Sequence, residues 1–190
     1  MNNLLSPILR LAFLFGAWLV WMLALVTLRK HRLEKPARVD SAARWGVALE
    51  TAGYLIVNLH SPALWNLGIE EWRLIAGTVF ALVSIGLFWS AVANLGRHWR
   101  IDAGLNQDHE LVQCGAYRIV RHPIYASMFG MLLANAFWAG TLPGWPVAIV
   151  LFLAGTEIRI RIEDGLLRDR FGNRFTEWQR SVPAYLPFVR

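Results

Sequence analysis

Apolar runs long enough to cross a bilayer, cut apart by segments crowded with arginine, constrain this chain more than any other feature. Residues 4–28 are apolar except for Ser6, Pro7 and Arg10, and they exceed the roughly 20 residues that span a hydrocarbon core. The run is too long for a signal-peptide core and no small-residue cleavage pattern ends it, so it reads as a retained span. Residues 74–95 and 124–142 form two more runs, and 145–158 a short one that can continue past the membrane as an exposed helix. Residues 45–64 are apolar but hold Glu50, Asn58 and His60; a polar residue inside a span faces protein or a cavity rather than lipid. The expected fold is therefore all-α, a polytopic integral membrane protein of about five transmembrane helices.

The cations set an orientation. The segment RKHRLEKPARVDSAAR, at 29–44, carries six Arg or Lys against Glu34 and Asp40, and by the positive-inside rule it is cytoplasmic. Counting onward puts the N-terminus and the loop around Glu70 and Glu71 outside, and puts 96–123 and the tail from Arg159 on the inner face. A formal charge of +6 and a pI near 10.2 would also suit nucleic acid. No basic face interleaved with exposed aromatics is present, however, and the cations cluster between apolar runs, so membrane lipids are the expected partners and nucleic acid is not. Cys114 is the sole cysteine, which excludes intrachain disulfides and metal sites of the paired-cysteine kind; it reads as a buried small residue. No repeat or linker divides the chain. One domain over 1–190 is expected, with three spans in 1–95 and the site-bearing region in 96–190.

The two later inner-face segments are joined by a short helical hairpin, so they meet in space and bracket a pocket. In RHPIYASM, at 121–128, Pro123 suits the first turn of a helix. His122 then stands at the positive end of the helix dipole beside Arg121, a place suited to a carboxylate or phosphate, and Tyr125 lies one turn inside, where it can stack on a flat ring. Spacing alone leaves a second assignment open, in which Arg121 and His122 are interface anchors and Tyr125 belongs to an aromatic belt. In EIRIRIEDGLLRDRFGNRFTEW, at 157–178, Arg159 and Glu163 share a helix face and Arg161 faces elsewhere. A guanidinium there can clamp a carboxylate and Glu163 can accept from sugar hydroxyls; the alternative is a salt-bridged juxtamembrane helix. Glycine ends that helix at Gly165 or, better, Gly172, and VPAYLPF then runs extended over something. No GxGxxG, P-loop, HExxH or GxSxG pattern occurs, which argues against soluble nucleotide sites, common zinc proteases and serine hydrolases.

HELVQCGAYRIVRHPIY, a hydrophobic hairpin, and RIRIEDGLLRDRFGNRFTEWQRSVPAYLPF together resemble the isoprenylcysteine carboxyl methyltransferases and their prokaryotic relatives, over about the last 90 residues. The resemblance implies an S-adenosylmethionine cofactor held at the cytoplasmic side and a lipophilic small-molecule or lipid-modified substrate entering from the bilayer. It implies cofactor contacts at His109, Glu110, Leu111, Val112, Tyr117, His122, Pro123, Ile124, Tyr125 and Glu163, and a substrate role for Arg159, so that Arg159 and Glu163 are the expected catalytic pair. Two positions depart from the family pattern: Asp164 replaces a second glutamate, and Ala126 stands where glycine is frequent after the tyrosine. Transfer from a sulfonium is a direct displacement that needs alignment and exclusion of water, and the sequence names no convincing base, which favours a carboxylate acceptor. A phospholipid amine is the alternative acceptor. An NADPH-dependent sterol-type reductase, whose family shares an Arg-His-Pro-Tyr motif, is the alternative enzyme. A non-enzymatic membrane subunit would leave the polar clustering unexplained.

Overall fold

Residues 7–28, 38–39, 41–59, 70–98, 104–105, 109–139 and 144–187 are described by a computed structural model. Each expected apolar run carries a helix: α1 (Pro7–Thr27), α2 (Ala43–Leu59), α3 (Glu71–Leu95), α4 (Pro123–Ala139) and α5 (Trp145–Phe171), followed by a short α6 (Asn173–Ser181). The only strands among the described residues are two-residue pieces, Arg38–Val39 paired antiparallel with Gly104–Leu105, so the fold is all-α in substance. Most of the first arginine-rich connection, the ends of the second and fourth runs (60–64 and 140–142) and the breaker-rich turn after α4 lie outside the described residues. Of the described helices, α3 is by length and composition long and apolar enough to cross a membrane, while the apolar part of α1, Ala12–Thr27, is shorter.

Large apolar side chains point outward: Phe15, Leu19 and Val26 on α1, Ile75, Leu82 and Val83 on α3, and Val150 on α5 are all exposed. The polar side chains Ser84, Ser127, Asn135 and Thr156 are buried. In water that distribution is unfavourable, since exposed apolar patches of this extent mark contact with another apolar phase. Among the helices themselves, packing runs through aromatic and small residues. Trp21 of α1 stacks on Phe88 of α3 with ring centroids 3.7 Å apart, and the Tyr54 hydroxyl on α2 donates to the Met128 carbonyl on α4 at 2.6 Å.

The α2–α5 contact positions the site, and two glycines make it possible. A Cβ on Gly155 would stand 2.5 Å from the Gly46 carbonyl oxygen and 3.0 Å from the Glu50 nitrogen, so only hydrogen fits there. A Cβ on Gly46 would meet the Gly155 oxygen at 2.7 Å and collide with the Arg159 stem. Gly172, at φ +54°, separates α5 from α6, whereas Gly165 stays inside α5. The left-handed region that Gly172 occupies carries a steric cost for any residue with a Cβ, and it swings α6 back so that Phe175 and Trp178 bury against Tyr117 and Ala91. Beyond α6 the chain lies across the start of α4: Arg121 and His122 N–H groups donate to the carbonyls of Pro183 and Ala184 at 2.8 and 2.7 Å. The extended tail segment thus rests on the RHP motif.

Candidate functional site

A cavity of about 400 Å³ opens between α1, α2, α4, α5 and the segment before α4. Every residue expected to contact the donor or the acceptor lines it: His109, Glu110, Leu111, Val112, Tyr117, His122, Pro123, Ile124, Tyr125, Arg159 and Glu163. The reason is helical spacing. Arg159, Glu163, Leu166 and Leu167 repeat at three or four residues along α5 and so share one face, as do Val47, Glu50, Thr51 and Tyr54 along α2. Part of the wall is apolar, with Trp21, Met22, Leu25, Phe88 and Met128; part is polar, with His98, His109, Glu110, Arg121, His122 and Glu163.

Pro123 opens α4 as its first residue, and that start is tied to α5 by a line of charged contacts. His122 Nε2 lies 2.8 Å from Asp164 Oδ1 and its Nδ1 3.4 Å from Glu163 Oε2. Arg121 Nη2 donates to Asp164 Oδ2 at 3.2 Å, its Nη1 donates to the Gln179 and Val182 carbonyls, and Gln179 Nε2 reaches Asp164 Oδ2 at 3.0 Å. The anion expected at the RHP motif is therefore an internal one, the Asp164 carboxylate. Burial alone would lower the His122 pKa, but hydrogen bonds to Asp164 and Glu163 and the two negative charges carry it above its ordinary value. An imidazole with a carboxylate oxygen against each nitrogen donates from both only as the cation. Burial pushes Asp164 upward, yet the hydrogen bond and charge of His122, with Arg121 behind them, hold its carboxyl below the usual range.

Tyr125 is nearly fully buried, and its hydroxyl donates to Glu163 Oε1. The Arg159 guanidinium lies over the Tyr125 ring, 4.9 Å from its centroid, so that face is taken by a cation from this chain. Arg159 and Glu163 share the expected face, and Arg159 forms an ion pair with Glu50, Nη1 to Oε2 at 3.1 Å. Glu50 is within reach of that side chain because Gly46 lets the Arg159 stem lie flat against α2. Arg161 points away, as expected, and pairs on the exposed side with Glu157 at 3.4 Å. Burial holds the Tyr117 hydroxyl well above its ordinary pKa, so it stays protonated.

Sequence reasoning turned Glu50 toward protein or a cavity but gave it no role, and it missed Thr51 and Tyr54 on α2 and His98 after α3 as cavity residues; Cys114, expected to be buried, is exposed. An acid in an otherwise apolar run was a usable signal for Glu50. His98 carried no pattern; it is buried, its ring stands edge-on to His109 with centroids 4.9 Å apart, and its Nδ1 has no hydrogen-bond partner among the described residues. Among the described residues no group of three His, Cys, Asp or Glu is placed to hold a metal ion.

A family profile described as phospholipid methyltransferase matches residues 72–174, the stretch that supplies most of this wall. The chain is 29% identical over 84 residues to a protein-S-isoprenylcysteine O-methyltransferase of Schizosaccharomyces pombe, covering 44% of this chain and 36% of that protein. It is 28% identical over 103 residues to protein-S-isoprenylcysteine O-methyltransferase B of Arabidopsis thaliana, covering 53% and 52%. It is also 28% identical over 108 residues to the nickel-cobalt-cadmium resistance protein NccN of Alcaligenes xylosoxydans xylosoxydans, covering 56% and 50%. The matches span about half the length of these curated relatives or less. The isoprenylcysteine methyltransferase likeness read from the two motifs recurs among these relatives, and because the profile takes in more than half of the chain, the chain belongs to the phospholipid methyltransferase family.

Proposed function

We propose that this chain is an integral membrane methyltransferase that uses S-adenosylmethionine to methylate a lipophilic carboxylate such as a prenylcysteine-like group. The observation that carries the reading is one cavity in which an apolar wall, from Trp21 to Met128, meets a polar wall with Arg159 and Glu163 on a shared face between them. A lipid-linked acid needs both surfaces, an apolar slot for its tail and a cation for its head.

The residues present fit the donor. His98 Nδ1 is a buried polar atom without a partner among the described residues, which a polar ligand would satisfy. Glu163 turns a carboxylate, fixed by Tyr125 and His122, toward the same space. His109, Glu110, Leu111, Val112, Tyr117 and the 122–125 stretch would hold the nucleoside, and Glu163 its hydroxyls. Bound there, S-adenosylmethionine supplies an electrophilic methyl group on a sulfonium centre. For its part the chain orients and excludes water: Arg159 directs the acceptor carboxylate, Tyr125 backs the guanidinium, and the aromatic walls keep the site dry. No general base is needed, since a carboxylate arrives with its electron pair free.

Five helices, α1 to the first half of α5, cross the bilayer in this reading, with the cavity mouth toward the cytoplasm and the N-terminus outside. The outward apolar faces of α1, α3 and α5 support that placement, and the arginine-rich segments support its orientation. The family description favours one rival acceptor, a phospholipid amine; the buried guanidinium favours the acid. Titration calorimetry of detergent-solubilised protein with S-adenosylhomocysteine and, separately, NADPH tests the cofactor assignment. Binding of the first alone is expected, and binding of NADPH alone would overturn it.

A further inference from the structure

Glu50 lines the cavity and has no part in the transfer scheme above. It is 2% exposed, on α2, and both of its oxygens are used: Oε1 accepts from Thr156 Oγ1 at 3.1 Å and Oε2 from Arg159 Nη1 at 3.1 Å. The surrounding backbone is shaped to permit this. Gly46 and Gly155 bring α2 and α5 so close that the Arg159 stem occupies the space a Gly46 Cβ would need, and the guanidinium is carried along α2 to Glu50, above the Tyr125 ring. Helix packing alone does not call for an acid here, because a buried ion pair is weak as a stabilising device and an apolar pair of similar volume packs as well. Ionisable groups inside spanning helices therefore point to function.

We propose that Glu50 is a positioning residue for the methyl acceptor: it keeps the Arg159 guanidinium on the face of Tyr125 and moderates its pull on the acceptor carboxylate, which enters as a further anion beside the same group. This inference rests on the methyl-transfer reading. A carboxylate gripped by an unopposed guanidinium in a dry site is held tightly and has little electron density left to donate, so strong ground-state binding would slow the chemistry. With Glu50 on Nη1, the guanidinium orients the acceptor without drawing off the electron density of its nucleophilic oxygen. Methylation removes the acceptor's charge, and the neutral ester is released while the Arg159–Glu50 pair persists.

The test uses the full chain in detergent, N-acetyl-S-farnesylcysteine as the acid probe and its methyl ester as the neutral one. Glu50→Gln keeps the shape and removes the carboxylate paired with Arg159, leaving Glu163 in place, so calorimetry should give acid binding roughly tenfold tighter than the parent, with ester binding unchanged. Single-turnover methyl transfer at saturating acid should fall by about the same factor, and Glu50→Asp should return both quantities toward the parent. A merely structural Glu50 would lower stability without this opposed change in affinity and rate. If Glu50→Gln does not fold, the doubly neutral Glu50→Gln/Arg159→Gln variant, which leaves no buried charge unpaired, should bind acid and ester alike. Unchanged or weaker acid binding by Glu50→Gln, or a doubly neutral variant that still prefers the acid, overturns the inference while leaving methyl transfer standing. A parent that transfers no methyl group and binds no acid refutes the reading beneath it, and the inference with it.

Discussion

Replacing Asp164 with asparagine removes the carboxylate that Arg121, His122 and Gln179 all reach. Three donors converge on its two oxygens at 3.2, 2.8 and 3.0 Å, and the side chain is buried. An amide has one acceptor oxygen, so its NH2 group must confront either the His122 N–H or the Arg121 and Gln179 donors. Breaking a buried ion pair from one side costs about 3–5 kcal/mol; because asparagine keeps one acceptor, about 3 kcal/mol is the figure to expect. The effect has a pH signature. The His122 pKa is raised in the folded chain, so its contribution is complete below the unfolded value of about 6.5 and is lost as pH rises through the folded one. Asp164 is lowered, so its contribution is complete above about 3.9 and is lost as pH falls through the folded value. Between those limits parent and Asp164→Asn should differ most, and the gap should narrow on the alkaline side as His122 loses its proton. Equilibrium unfolding in mixed micelles at pH 5.5 and at pH 9 measures both gaps. A gap that is equal at the two pH values, or smaller than about 1 kcal/mol at pH 5.5, would refute the ion-pair account of the RHP motif.

Glu163→Gln should weaken S-adenosylhomocysteine binding about ten- to a hundredfold, the value of a hydrogen bond to a charged acceptor, while circular dichroism stays parental; unchanged affinity by calorimetry would remove Glu163 from the donor site. Arg159→Lys keeps the charge but loses the planar fork, so single-turnover transfer should drop on the order of a hundredfold with donor affinity within a few-fold of the parent. Near-parental turnover would take Arg159 out of the acceptor site. Gly46→Ala places a methyl group against the Arg159 stem and the Gly155 oxygen, and overpacking of this kind costs about 1–3 kcal/mol; a thermal midpoint equal to the parent's would show that α2 and α5 are not in backbone contact. In a Cys114→Ser background, cysteines at Ser41 and Asn173 should react with impermeant reagents only after the inner membrane face is opened, and labelling of intact cells would reverse the proposed orientation.

The helices and the line of residues along the cavity were legible because both follow from spacing. Apolar runs bounded by arginine gave the helix positions to within a few residues, and Pro123 and Gly172 marked a start and a break through backbone constraints that act locally. Arg159 and Glu163 were readable as one face for the same reason. The partners of these residues were not readable. That Arg159 lies against Glu50 depends on α2 and α5 touching at Gly46 and Gly155, a contact between residues over a hundred positions apart that no periodicity encodes. The destination of the VPAYLPF segment was equally hidden: its carbonyls serve the Arg121 and His122 N–H groups, which meet it only because Gly172 turns α6 back. His98 left no trace at all, since a lone histidine after a helix has many uses.

The central claim is that one cavity brings a methyl donor to a lipophilic acid, and transfer of labelled methyl from S-adenosylmethionine by the purified chain tests it most directly. N-acetyl-S-farnesylcysteine, its methyl ester and phosphatidylethanolamine would be offered side by side in the same micelles. The account predicts label in the acid, recovered as a base-labile ester, and none in the other two. Label in phosphatidylethanolamine with none in the acid, or no transfer to the acid by protein that binds S-adenosylhomocysteine, would contradict it.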